Sequence, residues 1–289
     1  MEKYHNIHWK KGLDITPEIF VASDNYHITE RTLLGRFSTF RLYGISPDRK
    51  FHIEKSIDNS KIYIKNLECL AITRSGYLIN MYKDTPFNKE LNLSETAGIE
   101  LYAVLTVNPY SAIFPGNQEN QACPEYNIIL KRVEETVENG IPVLKIYKNN
   151  TNWEIDNDYI PPSVALCSMD TLNRKCLEIK NIINKIIEKL PKEEPLYLQI
   201  IMLQLELNNC YLQKSPQELI QLLKKFCWIF QLYLKAAKNI KELPVIQKFV
   251  EKSYDHLEIG NVVTLGLECL TTVDQLTEKA EETIMEIKI

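Results

Sequence analysis

The sequence predicts an α+β multidomain protein: an N-terminal antiparallel β-sandwich over residues 1–166, then an antiparallel helical bundle over residues 167–289. Two observations predict it. The first part is a series of short, turn-punctuated segments rich in β-branched and aromatic residues, with no helical pattern between them. Past Pro161-Pro162 the apolar period switches to that of a helix. At 289 residues the chain is long enough for two cores.

Residues 8–27, HWKKGLDITPEIFVASDNYH, open the chain. Trp9, Leu13 and Phe20 are expected to bury, with Gly12 and Pro17 bending the chain between them. From composition the stretch reads as the first strand of a β domain. It holds no nucleophile beside a base, no glycine loop for phosphate and no metal-ligand spacing.

Strands are predicted over 40–45, 51–57, 61–72, 77–82, 99–107, 126–133 and 143–147. Turn signals separate them: Ser46-Pro47-Asp48, Asp58-Asn59-Ser60, Ser75-Gly76, Asn108-Pro109 and Asn139-Gly140. Ile62 and Ile64, set between Lys61 and Lys65, give one dry face and one wet one. Residues 109–124, with Pro115-Gly116-Asn117 inside, read as a long contact loop.

The first bundle helix carries Leu172, Cys176, Ile179, Ile183, Ile186 and Leu190 at alternating spacings of four and three. Asp170 is placed as its N-cap, and Pro191 stops it. The second, over 196–212, is apolar almost all round and is expected to be buried on several sides. Ser215-Pro216-Gln217-Glu218 starts the third, with a capping Ser, Pro at the first helical position and Glu closing the capping box. Its stripe is Leu219, Leu223, Phe226, Phe230, Tyr233 and Ala237. Leu223, Phe226, Trp228, Phe230 and Tyr233 are the candidates for bundle or trimer packing. Cys227, Trp228 and Leu232 lie outside the stripe; Trp228 is expected in the core, with an intermolecular surface as the alternative. A fourth helix begins near Pro244, and Gly260-Asn261 is expected to break it before Leu267, Leu270, Val273 and Leu276 resume the pattern.

Charge and composition restrict the function. A net charge of −4 leaves no basic footprint for nucleic acid. No run of about 18 apolar residues calls for a membrane span, and the N-terminus has no apolar signal core, so a cytoplasmic protein is expected. Seven cysteines, none in a C-x-x-C pair, read as buried free thiols. Asn152, Glu154, Asp156 and Asp158 alternate along one stretch, but lack the glycine and distal acid of a calcium loop; they read as a solvated strand end. Glu134, Glu135 and Glu138 beside Lys131 and Arg132 read as a solvated edge. His5, His8 and His27 have no Cys or acid partners at ligand spacing. No Gly-x-Ser-x-Gly elbow occurs. The expectation is a protein with no catalytic residues, no metal and no cofactor.

The spacing W-x-x-G-L-x-x-x-P-x-x-F formed by Trp9, Gly12, Leu13, Pro17 and Phe20, followed by Tyr26, resembles the opening of the TssK family, trimeric baseplate adaptors of bacterial type VI secretion systems. A second segment, Asp158, Tyr159, Ile160, Pro161 and Pro162, is similar to the family's segment closing its N-terminal domain. The resemblance implies a shell domain and a helical bundle wound as a homotrimer at the inner face of the cell envelope. It implies docking onto wedge proteins of the TssF/TssG type, near the scaffold formed by the first motif, with the second motif as the domain hinge. It also implies a small C-terminal head domain for the envelope complex; the sequence ends at Ile289 in helical pattern, so either a C-terminally shortened chain or a divergent member that meets the envelope by another route is expected, with the envelope partner undefined. A phage tail baseplate or receptor-binding-protein-like subunit is the alternative, and a carbohydrate-binding module or enzyme the third.

Overall fold

The structure is a computed structural model and describes residues 6–38, 42–58, 60–94, 98–113, 123–135, 137–190, 195–209, 213–236 and 243–287. The chain is α+β and divides into two compact units, Met1–Val164 and Ala165–Ile289.

The first unit begins with helix α1 (Pro17–Ser38). A strand was the sequence expectation here, and the correction has a local cause. Pro17 sits at the first helical position, where its missing N–H costs nothing, and Glu18 follows in the first turn. The Thr16 carbonyl accepts the Ile19 N–H at 3.1 Å, and a side-chain hydrogen bond with Thr16 lowers the Glu18 carboxyl pKa. Buried Thr32 and half-buried Gly35 set the helix against the turn at Gly76. A Cβ on Gly35 would lie 3.0 Å from Ile72 Cδ1, and one on Gly76 would lie 2.7 Å from the Thr32 carbonyl oxygen.

Two antiparallel sheets follow. The first holds β1 (Gly44–Ile45), β2 (His52–Asp58), β3 (Lys61–Ile72), β4 (Leu78–Met81) and β5 (Glu90–Asn92). β3 is its central strand: one edge takes β2 and then β1, the other β5 and then β4. The alternation expected at Ile62 and Ile64 is present, with both fully buried and Lys61 and Lys65 exposed. The second sheet runs β7 (Cys123–Arg132), β6 (Glu100–Ile113), β8 (Gly140–Asn149), β9 (Asn152–Ile155). One apolar core takes Ile62, Ile64 and Leu67 from the first sheet and Leu101, Leu105 and Ile146 from the second. Polar ties join the sheets as well: the Asn88 side chain donates to the Ile128 carbonyl (2.7 Å), and the Asn80 N–H donates to the Tyr126 hydroxyl (3.2 Å).

One further expectation is corrected. Residues 109–113 are strand rather than loop: β6 passes Pro109 through an irregularity between Asn108 and Ala112, where a missing N–H is tolerated. The short strand β5 carries too little pattern to be read from sequence. Phe40, Asn59 and Pro115-Gly116-Asn117 lie outside the described residues.

The second unit is helical: a 3-10 turn (Leu166–Ser168), then α2 (Asp170–Lys189), α3 (Pro195–Asn208), α4 (Pro216–Ala236), α5 (Leu243–Glu251) and α6 (Ile259–Ile287). The α2 stripe from Leu172 to Leu190 is buried as the spacing requires. Asp170 is corrected from cap to first helical residue; Met169 is the N-cap and gives no side-chain bond. At α4 the capping box is formed: Ser215 Oγ accepts the Glu218 N–H at 3.2 Å, and Glu218 Oε2 accepts the Ser215 N–H at 2.7 Å. The break between the last two helices falls at 252–258, earlier than Gly260-Asn261, and the Asp255 side chain accepts the Leu257 N–H there at 2.9 Å. Gly266 of α6 faces the α4–α5 contact, where a Cβ would lie 3.1 Å from Phe249 and 3.4 Å from Leu223. Lys189 ties α2 to α6 through Asp274 at 2.7 Å.

Candidate interaction surfaces

Most of the residues singled out in the sequence fall among the described ones. Trp9 and Phe20, expected to bury, are instead exposed, at 52% and 54%. Their rings lie 6.4 Å apart and tilted, so the pair forms a small aromatic platform. Gly12 takes φ +87 in a turn in which the Leu13 N–H donates to the Lys10 carbonyl at 3.2 Å. That turn brings Trp9 back toward α1. Leu13 and Tyr26 are half-buried, and Tyr26 meets His27 edge-on. Ile15, Val21 and Leu34 are also exposed, so the apolar surface of this region extends beyond the motif.

In the second motif, Asp158 is exposed and Tyr159 half-buried, with its ring 5.5 Å from Tyr102. Ile160, Pro161 and Pro162 are buried in the first unit. The Pro162 carbonyl accepts the Ile45 N–H at 2.7 Å, and the Val164 N–H returns to the Ile45 carbonyl at 3.0 Å. Gly44 is forced by this clasp. Its φ is +126, and a Cβ there would lie 2.3 Å from the Pro162 backbone.

Among the bundle candidates, Leu223, Phe226 and Phe230 are buried within the chain's own second unit. Phe226 and Phe230 stack with centroids 6.3 Å apart. Trp228, expected in the core, is corrected to an outward position at 53% exposure. The side chain of Tyr233 lies outside the described residues. The expected burial of 196–212 on several sides is also corrected, over its described residues. Ile200 and Leu207 face inward, whereas Leu198, Met202 and Leu205, at spacings of four and three, are exposed at 68%, 70% and 61%. Leu232 adds to this apolar exposure on α4. The sequence missed the Leu198 row because LYLQIIMLQLEL has no polar face to mark which side is bare.

No catalytic constellation emerges among the described residues, and no group of three metal-ligating side chains occurs among them. The acids of the strand end are held locally. Glu154 accepts from the Tyr147 hydroxyl (2.8 Å) and the Asn149 side chain (3.0 Å), while Asp156 accepts the Asp158 N–H (2.9 Å). Burial lowers the Lys55 ammonium pKa, and Asp156 partly offsets it. Lys131 and Glu135 pair at 3.7 Å on the surface, as a solvated edge does. Burial pushes the Cys69 and Cys176 thiols up to about 12, which keeps them protonated and unreactive. His5 and Cys210 lie outside the described residues. No described helix is long and apolar enough to cross a membrane.

No protein-family model matches the sequence, and none of the curated proteins matches it. Solved structures do. A chain of the type VI secretion system TssK-TssF-TssG baseplate subcomplex is similar over 95% of this chain and 100% of its own, at 15% identity and TM-score 0.64. A crystal structure of TssK is similar over 94% of this chain and 69% of its own, at 15% identity and TM-score 0.62. TssK of the EAEC type VI secretion system, solved with a nanobody, is similar over 87% of this chain and 67% of its own, at 14% identity and TM-score 0.59. The likeness extends through both compact units, and the chain has the fold of TssK.

Proposed function

We propose that this chain is a structural, non-enzymatic TssK-type subunit of a type VI secretion baseplate. In this reading the first unit is a β-sandwich shell domain that docks on wedge proteins of the TssF/TssG type. The second is an antiparallel bundle that joins three copies. The observation that carries the proposal is a fold likeness to TssK covering 94% of the chain, found in a sequence that also holds the two TssK-like motifs. The exposed Trp9–Phe20 platform supports a role for the first motif in docking, because large apolar rings left in water are usual at protein contacts. The outward row Leu198, Met202 and Leu205, with Trp228, supports a protomer that buries a second bundle face against its copies. Three docking sites on one trimer would act together, so each could be weak. The segment 158–162 anchors the shell end of the hinge, and assembly takes place in the cytoplasm at the inner face of the envelope.

The test is solution mass by light scattering, for the protein alone and mixed with TssF- and TssG-type wedge proteins. Three times the protomer mass, rising on addition of the wedge proteins, is the expected result. A monomer indifferent to them overturns the proposal.

A further inference from the structure

Cys227 of α4 and Cys269 of α6 are fully buried, and their Sγ atoms lie 3.4 Å apart. They are 42 positions apart in sequence, so only the packing of the two helices brings them together. That packing is tight, since Gly266, one turn before Cys269, is held against Phe249 and Leu223. The surroundings are apolar: Leu223, Phe226 and Phe230 on α4, and Leu270 and Val273 on α6, are all buried. A disulfide needs the sulfurs at about 2.05 Å, and this pair starts with them already in contact. Neither the proposed docking nor trimer packing uses either thiol.

We infer that Cys227 and Cys269 form a redox-responsive lock, a dithiol that a small peroxide converts into a disulfide joining α4 to α6. The chemistry closes without another reactant. One thiol sulfur attacks hydrogen peroxide, the O–O bond breaks, and a sulfenic acid and one water form. The second thiol sulfur then attacks the sulfenic sulfur; the S–S bond forms, the S–O bond breaks, and a second water leaves with the remaining proton. Two thiols are oxidised and one peroxide is reduced to two waters. The contact with Cys269, then burial, raises the Cys227 pKa well above its ordinary value. The reduced pair is therefore slow to react, and a small oxidant entering as the helices open is the effective route. The bond would enclose α5 within one covalent loop. It would also fix α4 beside Trp228, the next residue and the outward one.

The experiment uses the full chain, reduced, exposed to hydrogen peroxide, then alkylated under denaturing conditions and mapped by peptide mass spectrometry. The expected product is a single linked peptide pair containing Cys227 and Cys269, lighter by two hydrogens and cleaved by dithiothreitol. The melting temperature should rise by roughly 5–10 °C on oxidation. The Cys176→Ser variant should still form the link, and Cys269→Ser should lose it. If Cys269→Ser does not fold, the peptide map of the unmodified chain decides alone. Both thiols still open to alkylation, a link to a different cysteine, or a link with no rise in melting temperature would each overturn the inference. None of these outcomes depends on whether the chain binds baseplate proteins.

Discussion

Gly44 carries the largest consequence for the smallest side chain. With φ at +126 and the Pro162 backbone 2.3 Å from where a Cβ would stand, Gly44→Ala must strain the backbone or open the clasp. The expected loss is roughly 2–4 kcal/mol of unfolding free energy, read from urea denaturation. A loss under about 0.5 kcal/mol, within the range of an ordinary surface change, would show the clasp to be dispensable. Trp9 is the converse case, a large residue whose replacement the fold should tolerate. Because its ring is exposed, Trp9→Asp should leave the melting temperature nearly unchanged and, if the proposed wedge docking holds, weaken that binding by tenfold or more, an effect of ~1.4 kcal/mol. Binding measured by interferometry checks it; undiminished affinity would remove the platform from the docking surface. At this scale the sequence was readable where chemistry is local. The Ser215–Glu218 box was legible because both partners lie within one turn. The clasp between Gly44 and Pro162 was not, because nothing in either neighbourhood names the other.

Elements were legible where their pattern was one-sided. The α2 stripe announces a helix with one buried face, and β3 announces a strand with alternating burial. Helix α1 was misread because its residues carry no apolar stripe; only Thr16, Pro17 and Glu18 mark its start. Helix α3 was read as a helix but not oriented, since a uniformly apolar rod gives no bare side. Two predictions belong here. Ser215→Ala removes the cap of α4 and should cost about 1 kcal/mol, seen as a lower denaturation midpoint with an unchanged slope. Replacing Met202 by Lys changes a side chain that the protomer leaves exposed, so its own stability should shift by no more than about 0.5 kcal/mol. If the Leu198–Leu205 row joins copies, the same change should lower the solution mass toward one protomer. A Met202→Lys protein that keeps its assembled mass would move the interface elsewhere.

Across the molecule, the division at Val164 and Ala165 makes a separable prediction. The first unit closes its own core from two sheets, so residues 1–164 expressed alone should fold cooperatively, with a single unfolding transition by circular dichroism. An expressed fragment without a transition would mean that the units depend on each other to fold. The passage from strands to the helices α2–α6 was legible because the hydrophobic period changes after Pro161-Pro162. The way the sheets are knitted was not, because β3 recruits partners on both edges and β6 lies between β7 and β8, the two strands that follow it.

The bond between Ile45 and the 162–164 segment has a mechanical meaning. The strand that leaves the sheet unit runs parallel to the one that enters it, joined at Ile45 and Ser163. Tension drawn along the connecting chain therefore falls first on the Ile45 amide and carbonyl, and passes through β1 to β3. Two hydrogen bonds and a glycine without a side chain are therefore the first contacts of this module to give way under such a pull.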